Sequence, residues 1–163
     1  NTVYSEFLKS KKEITLTDSI FIDAEKWELE LLDTNSVKQW FSCILPATPN
    51  NRLKNRKYLL AGKITTSNNF DLLMLVEEKK RSDSSVVQVF YFITTKKDGS
   101  HIATLEAAVN GTRKSSSYIT SSWLYKDFKI LKDSKITVND KLYSGITNYK
   151  INGGGRFILY PSY

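Results

Sequence analysis

The chain has 163 residues, with 24 Lys and Arg against 17 Asp and Glu and a formal charge of +7. That length suits one domain, which can bury roughly 70% of its unfolded surface and so needs no metal or disulfide to fold; 40% apolar and 12% aromatic residues exclude a disordered or collagen-like chain. Cys43 and His101 are each the only residue of their kind, which excludes an intrachain disulfide, cysteine zinc sites and metalloprotease helices of the HExxH type.

The polar opening Asn1–Lys12 reads as a tether. The chain begins on Asn1, so a signal peptide or a lipid-anchored Cys upstream of it is compatible with the sequence. No run of about 18 apolar residues offers a transmembrane helix. Ile14-Thr15-Leu16-Thr17 alternates as a short strand does. Asp23 is a candidate N-cap for a helix over Ala24–Leu32, with acids in its first turns and Ala24, Trp27 and Leu31 on one face. Asn35 or Ser36 can cap a second helix, Val37–Cys43, with Val37, Trp40, Phe41 and Ile44 as its stripe; Leu45-Pro46 ends it.

The pattern changes near Pro46–Pro49. Residues 1–47 hold eight acids and five bases, net −3, while residues 48–163 hold nine acids and 19 bases, net +10. Beyond the break the spacing predicts strands at Tyr58–Thr65, Phe70–Glu77, Val86–Thr95, His101–Val109, Trp123–Leu131, Lys135–Val138, Ile146–Ile151 and Arg156–Tyr160. Short links join them, with Asp98-Gly99 and Asn152-Gly153 the strongest hairpin signals, and Lys132-Asp133-Ser134 and Asn139-Asp140 read as turns. Such links connect antiparallel neighbours, because a parallel crossover needs a dozen or more residues. Asn110–Ser122 is the longest expected loop. Phe70–Val76 and Val86–Ile93 are apolar on both faces, which places them centrally. The expectation is an α+β, mainly β single domain over residues 1–163. It has short N-terminal helices packed on an antiparallel β-meander, the helices covering one face and curled sheet or loops the other. A β-barrel or sandwich is the alternative.

The run Tyr58–Ile64, Asn69–Leu75 and Val89–Ile102, followed by Tyr149-Lys150-Ile151-Asn152 and Gly155-Arg156-Phe157-Ile158, resembles a broad group of small uncharacterised exported or lipid-anchored β-rich proteins of Gram-negative bacteria. The shared elements are a strand followed by Thr-x-x-x-Asp-Gly-x-x-Ile and a closing Tyr-x-Ile-Asn … Gly-x-Phe hairpin. The resemblance covers about two thirds of the chain and implies a β-rich fold and export. It carries no catalytic residues.

Motifs for chemistry are sparse. There is no GxSxG elbow, no cysteine-protease surround at Cys43, no GxGxxG or P-loop, and no DxDxDG calcium loop. Gly153-Gly154-Gly155 precedes a strand, so it lacks the helix N-terminus that cradles phosphate. His101 reads as an exposed turn residue and Cys43 as a small hydrophobe. The acids offer no selected pair for glycoside hydrolysis. A basic β region with Tyr and Phe has the ingredients of a single-strand platform, but its cations lie mostly at turns, where they blunt edges and keep a sheet soluble. Nucleic acid is therefore disfavoured.

The strongest candidate is an aromatic patch. On Trp123–Ile130, one face carries Leu124, Phe128 and Ile130 as core, and the other carries Trp123, Tyr125, Asp127 and Lys129. The loop entering this strand brings Arg113, Lys114 and Tyr118. Trp, Tyr and Arg together make a binding hot spot. The expected function is a non-catalytic exported or envelope-associated protein, periplasmic or secreted. It would bind another macromolecule, an acidic protein or a polysaccharide, through Trp123, Tyr125, Arg113, Lys114 and Tyr118, with no cofactor or metal. An immunity or inhibitor protein against an acidic toxin or hydrolase is one alternative, and a polysaccharide-binding accessory protein another.

Overall fold

A computed structural model describes residues 3–23, 27–45, 54–82, 85–113 and 116–161. In chain order the elements are α1 (Val3–Lys9), β1 (Ser19–Ile22), β2 (Glu30–Leu31), α2 (Thr34–Trp40), a 3-10 turn at Ser42–Ile44, and then β3 (Arg56–Thr65), β4 (Asp71–Lys80), β5 (Val86–Thr95), β6 (His101–Arg113), β7 (Ser116–Tyr125), β8 (Lys129–Val138), β9 (Lys141–Ile151) and β10 (Phe157–Leu159). Strands β3 to β10 form an antiparallel meander in sequence order, with β2 added outside β3 and β1 paired to β7. The sheet is open, so the mainly-β meander describes this chain and the closed barrel does not.

The central position of β4 and β5 follows from their two apolar faces. Leu72, Met74 and Val76 of β4, with Phe90 and Phe92 of β5, enter one core with Leu124, Ile130 and Ile151. Leu73, Leu75 and Ile93 point the other way, into a second core with Tyr4, Leu8, Val37 and Phe41 of the helical segments. Each large side chain buried here stabilises the fold by about 1.5–3 kcal/mol. Tyr4 is fully buried and its hydroxyl lies 2.7 Å from Thr95 Oγ1. The opening residues, expected as a tether, therefore form a helix docked on the sheet.

The segment between the helices is a strap. Ile14 N–H donates to the Lys63 carbonyl and Lys63 N–H donates to the Lys12 carbonyl, at the edge of β3. Gly62 permits this approach, since a Cβ there would lie 2.7 Å from the Ile14 side chain. The chain then runs to β7, where β1 pairs residue for residue from Ser19–Tyr125 to Ile22–Ser122. It returns to β3, where Glu30 pairs with Leu60. The strand expected at Ile14–Thr17 is thus a single bridge at Glu13–Lys63, and the regular strand comes later, at Ser19–Ile22.

The helix expected over Ala24–Leu32 is not formed where the chain is described. Ala24, Glu25 and Lys26 lie outside the described residues, Trp27–Leu29 are irregular, and Glu30–Leu31 are strand. Trp27 and Leu29 pack on the first core, and Leu32 N–H donates to the Tyr58 carbonyl. Burial at alternate positions has overridden helix propensity, which is worth only tenths of a kcal/mol per residue (about 0.7 at most for ordinary residues). The second helix forms, but its cap is Asp33, whose Oδ1 accepts from Ser36 N–H at 2.7 Å. Asn35 and Ser36 lie inside its first turn, and Cys43 sits in the 3-10 turn beyond it.

Three expectations in the second half are corrected. Trp123–Leu131 is not one strand, because Lys126-Asp127-Phe128 turns the chain back from β7 to β8. Phe128 holds this turn at φ 62°, with its N–H on the Tyr125 carbonyl. The expected loop Asn110–Ser122 is a continuing ladder, Val109–Thr120 to Arg113–Ser116. Lys132-Asp133-Ser134, expected as a turn, is the middle of β8. The Asn139-Asp140 turn is found, with φ of 50° and 63°, as a two-residue hairpin demands.

Candidate functional site

Register decides which side chains share the outer face of β7 to β10. Ser122 and Leu124 are buried on the core side, so Trp123 and Tyr125 point away from it. Trp123 lies opposite Phe21 on β1 and opposite Leu131 on β8. Leu131 in turn faces Asn148 on β9. Leu124 pairs with Ile130, so the next positions out, Tyr125 and Lys129, flank the turn on the same side. The face continues through Ile146 and Lys150 on β9 and Ile158 on β10.

This face is open to solvent. Trp123 is 40% exposed, Tyr125 37%, Ile146 65% and Ile158 49%. The helices supply a second layer over β3, β4 and β5, and the core beneath them draws on no residue of β7 to β10. Phe21 and Trp123 hold their rings 5.0 Å apart at 50°. A depression of about 340 Å³ lies between Tyr125 and Leu131 on one side and Tyr160 and Pro161 on the other, with Lys129 and Asn148 in its lining. The Lys129 ammonium sits 4.7 Å from the centre of the Tyr160 ring and 3.6 Å from Asp127. Contact with Tyr160 first, and Asp127 after it, pushes its pKa above the usual lysine value, so it stays charged.

Such a face can stack rings on a partner, exclude water around them and offer cations at Lys129, Lys135 and Lys150. Asp133 stands among them on the same face of β8.

The structure brings together two of the five residues expected at the site. Trp123 and Tyr125 are neighbours on one face. Tyr118 lies on the opposite face of β7, paired with Gly111 and Ile136. Arg113 pairs with Ser116 at the far end of the ladder, seven residues and roughly 23 Å along β7 from Trp123. Lys114 lies outside the described residues. The segment expected to bring Arg113 to the patch instead carries it away from Trp123. The residues that do join the patch, Phe21, Leu131, Ile146, Ile158 and Tyr160, come from four other segments. None of the five carries a local signal that joins it to Trp123; strand pairing does that.

His101 Nε2 lies 2.7 Å from Thr104 Oγ1, and that hydroxyl donates to Cys43 Sγ at 3.8 Å. Desolvation raises the Cys43 pKa, which disfavours the thiolate needed for nucleophilic attack. Among the described residues no cluster of His, Cys, Asp and Glu is disposed to hold a metal ion, and no helix is long and apolar enough to cross a membrane. Comparison of the chain with protein-family models, with curated proteins and with solved structures gave no match in any of the three.

Proposed function

We propose that the chain is a non-catalytic, exported or envelope-associated binding protein whose outer face on β1 and β7 to β10 docks on an acidic protein surface. One observation carries the reading: an uncovered sheet face that gathers Phe21, Trp123, Tyr125 and Tyr160 with lysines at Lys129, Lys135 and Lys150. Exposed aromatic and aliphatic side chains in one patch supply the desolvated centre of an interface, and surrounding lysines steer an acidic partner. The +10 balance of residues 48–163 points the same way. An immunity or inhibitor protein acting on an acidic toxin or hydrolase is the more specific form of this reading.

A second reading, a polysaccharide-binding accessory protein, draws on the depression between Tyr125 and Tyr160. Two phenol rings, an amide and an ammonium suit a sugar ring. One experiment separates them. Immobilised wild type and a Phe21→Ala/Trp123→Ala variant are compared for what they retain from an envelope extract, before and after glycan removal. Protein docking requires an acidic protein held by wild type, released by salt, lost with the variant and indifferent to glycan removal. Retention only of glycan, lost with Tyr160→Ala, selects the second reading. Equal retention by wild type, the double variant and Tyr160→Ala removes this face from both readings.

A further inference from the structure

Away from the aromatic face, three turns converge on a cleft of about 590 Å³. Its lining comes from Asn69 before β4, Lys96, Lys97 and Asp98 in the β5–β6 turn, His101 and Ile102 at the start of β6, and Gly154 and Arg156 in the β9–β10 turn. The turns are locked to one another and to themselves. Thr94, fully buried, donates its hydroxyl to the Gly155 carbonyl at 2.6 Å. Gly155, at φ 81°, lies so close to Phe70 and Ile102 that a Cβ would sit 3.0 and 3.1 Å from them. Asn152 Oδ1 accepts from the N–H groups of Gly154 and Arg156, both at 3.0 Å. The cleft therefore has a rigid frame.

Its charge is unbalanced in one direction. Lys97 is engaged with Asp71, whose carboxylate is nearly buried, and with the Thr66 carbonyl. Asp98 turns its Oδ1 to Ser100 N–H at 2.9 Å; hydrogen bonds from the Ser100 hydroxyl first, and from its N–H after it, lower the Asp98 pKa more than nearby Lys96 does. Lys96 and Arg156 form no ion pair among the described residues. They line the cleft with Asn69, and Asp98 keeps one negative charge near Lys96, so the balance of the lining stays positive. A guanidinium grips two oxygens at once and an ammonium a third, a donor set that suits the three oxygens of a phosphate group.

We infer that this cleft binds a phosphate group, with Arg156 and Lys96 as its principal contacts and Asn69 as a further donor. The cavity falls in the size range of sites for small organic ligands, so the group can arrive as the free anion or on a sugar-sized ester. The site is separate from the aromatic face and does not depend on it.

Titration calorimetry on the full chain with inorganic phosphate, ribose 5-phosphate and ribose tests the assignment. Both phosphate probes should bind saturably and ribose should not. Tighter binding of the ester assigns a ligand with an organic body, and equal affinity assigns the free anion. Arg156→Gln and Lys96→Gln, both at exposed positions, should each weaken binding by about tenfold, the loss expected for one charge-assisted contact. Lys141→Gln removes a cation at the β8–β9 turn and should leave affinity unchanged. Absence of saturable binding by either phosphate probe overturns the proposal. So does an equal loss in Lys141→Gln, which would mean attraction to the whole positive surface.

Discussion

Phe21 and Trp123 are directly paired across β1 and β7, and their rings touch on the face away from the core, 5.0 Å between centres. A strand from the N-terminal strap thus supplies half of the most prominent aromatic contact on the C-terminal part of the sheet. An aromatic pair of this kind contributes about 0.5–1.5 kcal/mol beyond its area. Phe21→Ala and Trp123→Ala should each cost the fold about 1 kcal/mol and combine less than additively in a urea-denaturation cycle. Partner affinity should fall far more than stability. Additive losses would mean that the rings do not support one another.

A polar network at the top of β3 and β4 offers a second test. Tyr58 donates its hydroxyl to Glu77 Oε2 at 2.7 Å, and Arg56 Nη1 reaches the same oxygen at 3.3 Å, with Tyr58 and Glu77 both buried. Tyr58→Phe removes a donor and leaves the buried carboxylate with Arg56 alone. The expected cost is about 1–3 kcal/mol, read as a lowered urea midpoint at unchanged slope.

Alkaline pH should destabilise the fold through its buried phenols. Burial, first of all, raises the phenol pKa of Tyr4, Tyr58 and Tyr91 above the ordinary tyrosine value. A raised folded pKa means stability that is complete below the unfolded value, about 10, and lost as pH rises through the folded one. Denaturation midpoints should be level from pH 8 to 9 and fall from pH 10 upward. Tyr58→Phe should flatten that fall, which an unchanged profile would contradict.

The β7–β8 turn inverts a familiar ranking. Phe128 has φ 62°, a region that costs a side-chain-bearing residue about 1–2 kcal/mol. Its ring offsets this by packing on Phe70, 6.1 Å between centres. Phe128→Ala loses the ring and keeps the strain, whereas Phe128→Gly loses both. The glycine variant should be the more stable by about 1 kcal/mol, opposite to the usual order in regular structure. Thermal melts of the two variants decide it.

The sheet was legible wherever one strand carried its own pattern. Val86–Thr95 is strand from end to end as expected, because a nearly unbroken run of β-branched and aromatic residues is bounded by turn residues on both sides. The two-faced burial of Phe70–Val76 was likewise visible, since few polar residues interrupt it. Trp27–Leu31 was misread because helical and alternating patterns overlap there, and only the far partner, β3, selects between them. The site was half legible for the same reason. Alternation around Leu124 put Trp123 and Tyr125 on the outer face. Their true neighbours depend on which strands lie alongside, and no local spacing encodes that Phe21 lies beside Trp123 or Tyr160 beside Lys129.

The strap has a consequence for how the chain is made. β1 pairs with β7, a partner about a hundred residues later in the sequence. During synthesis Ser19–Ile22 has no strand to join until Tyr125 has left the ribosome, while β3 to β6 can zip together by neighbouring hairpins. Ser19–Ile22 is therefore made before β3 to β6 and ordered after them. Until then Ile22, fully buried in the finished molecule, and the first core it helps to close stay open to water and to other chains. Contacts so distant in sequence slow folding, so the interval before the strap closes is when this chain is most exposed to aggregation and to whatever factors shield nascent β proteins.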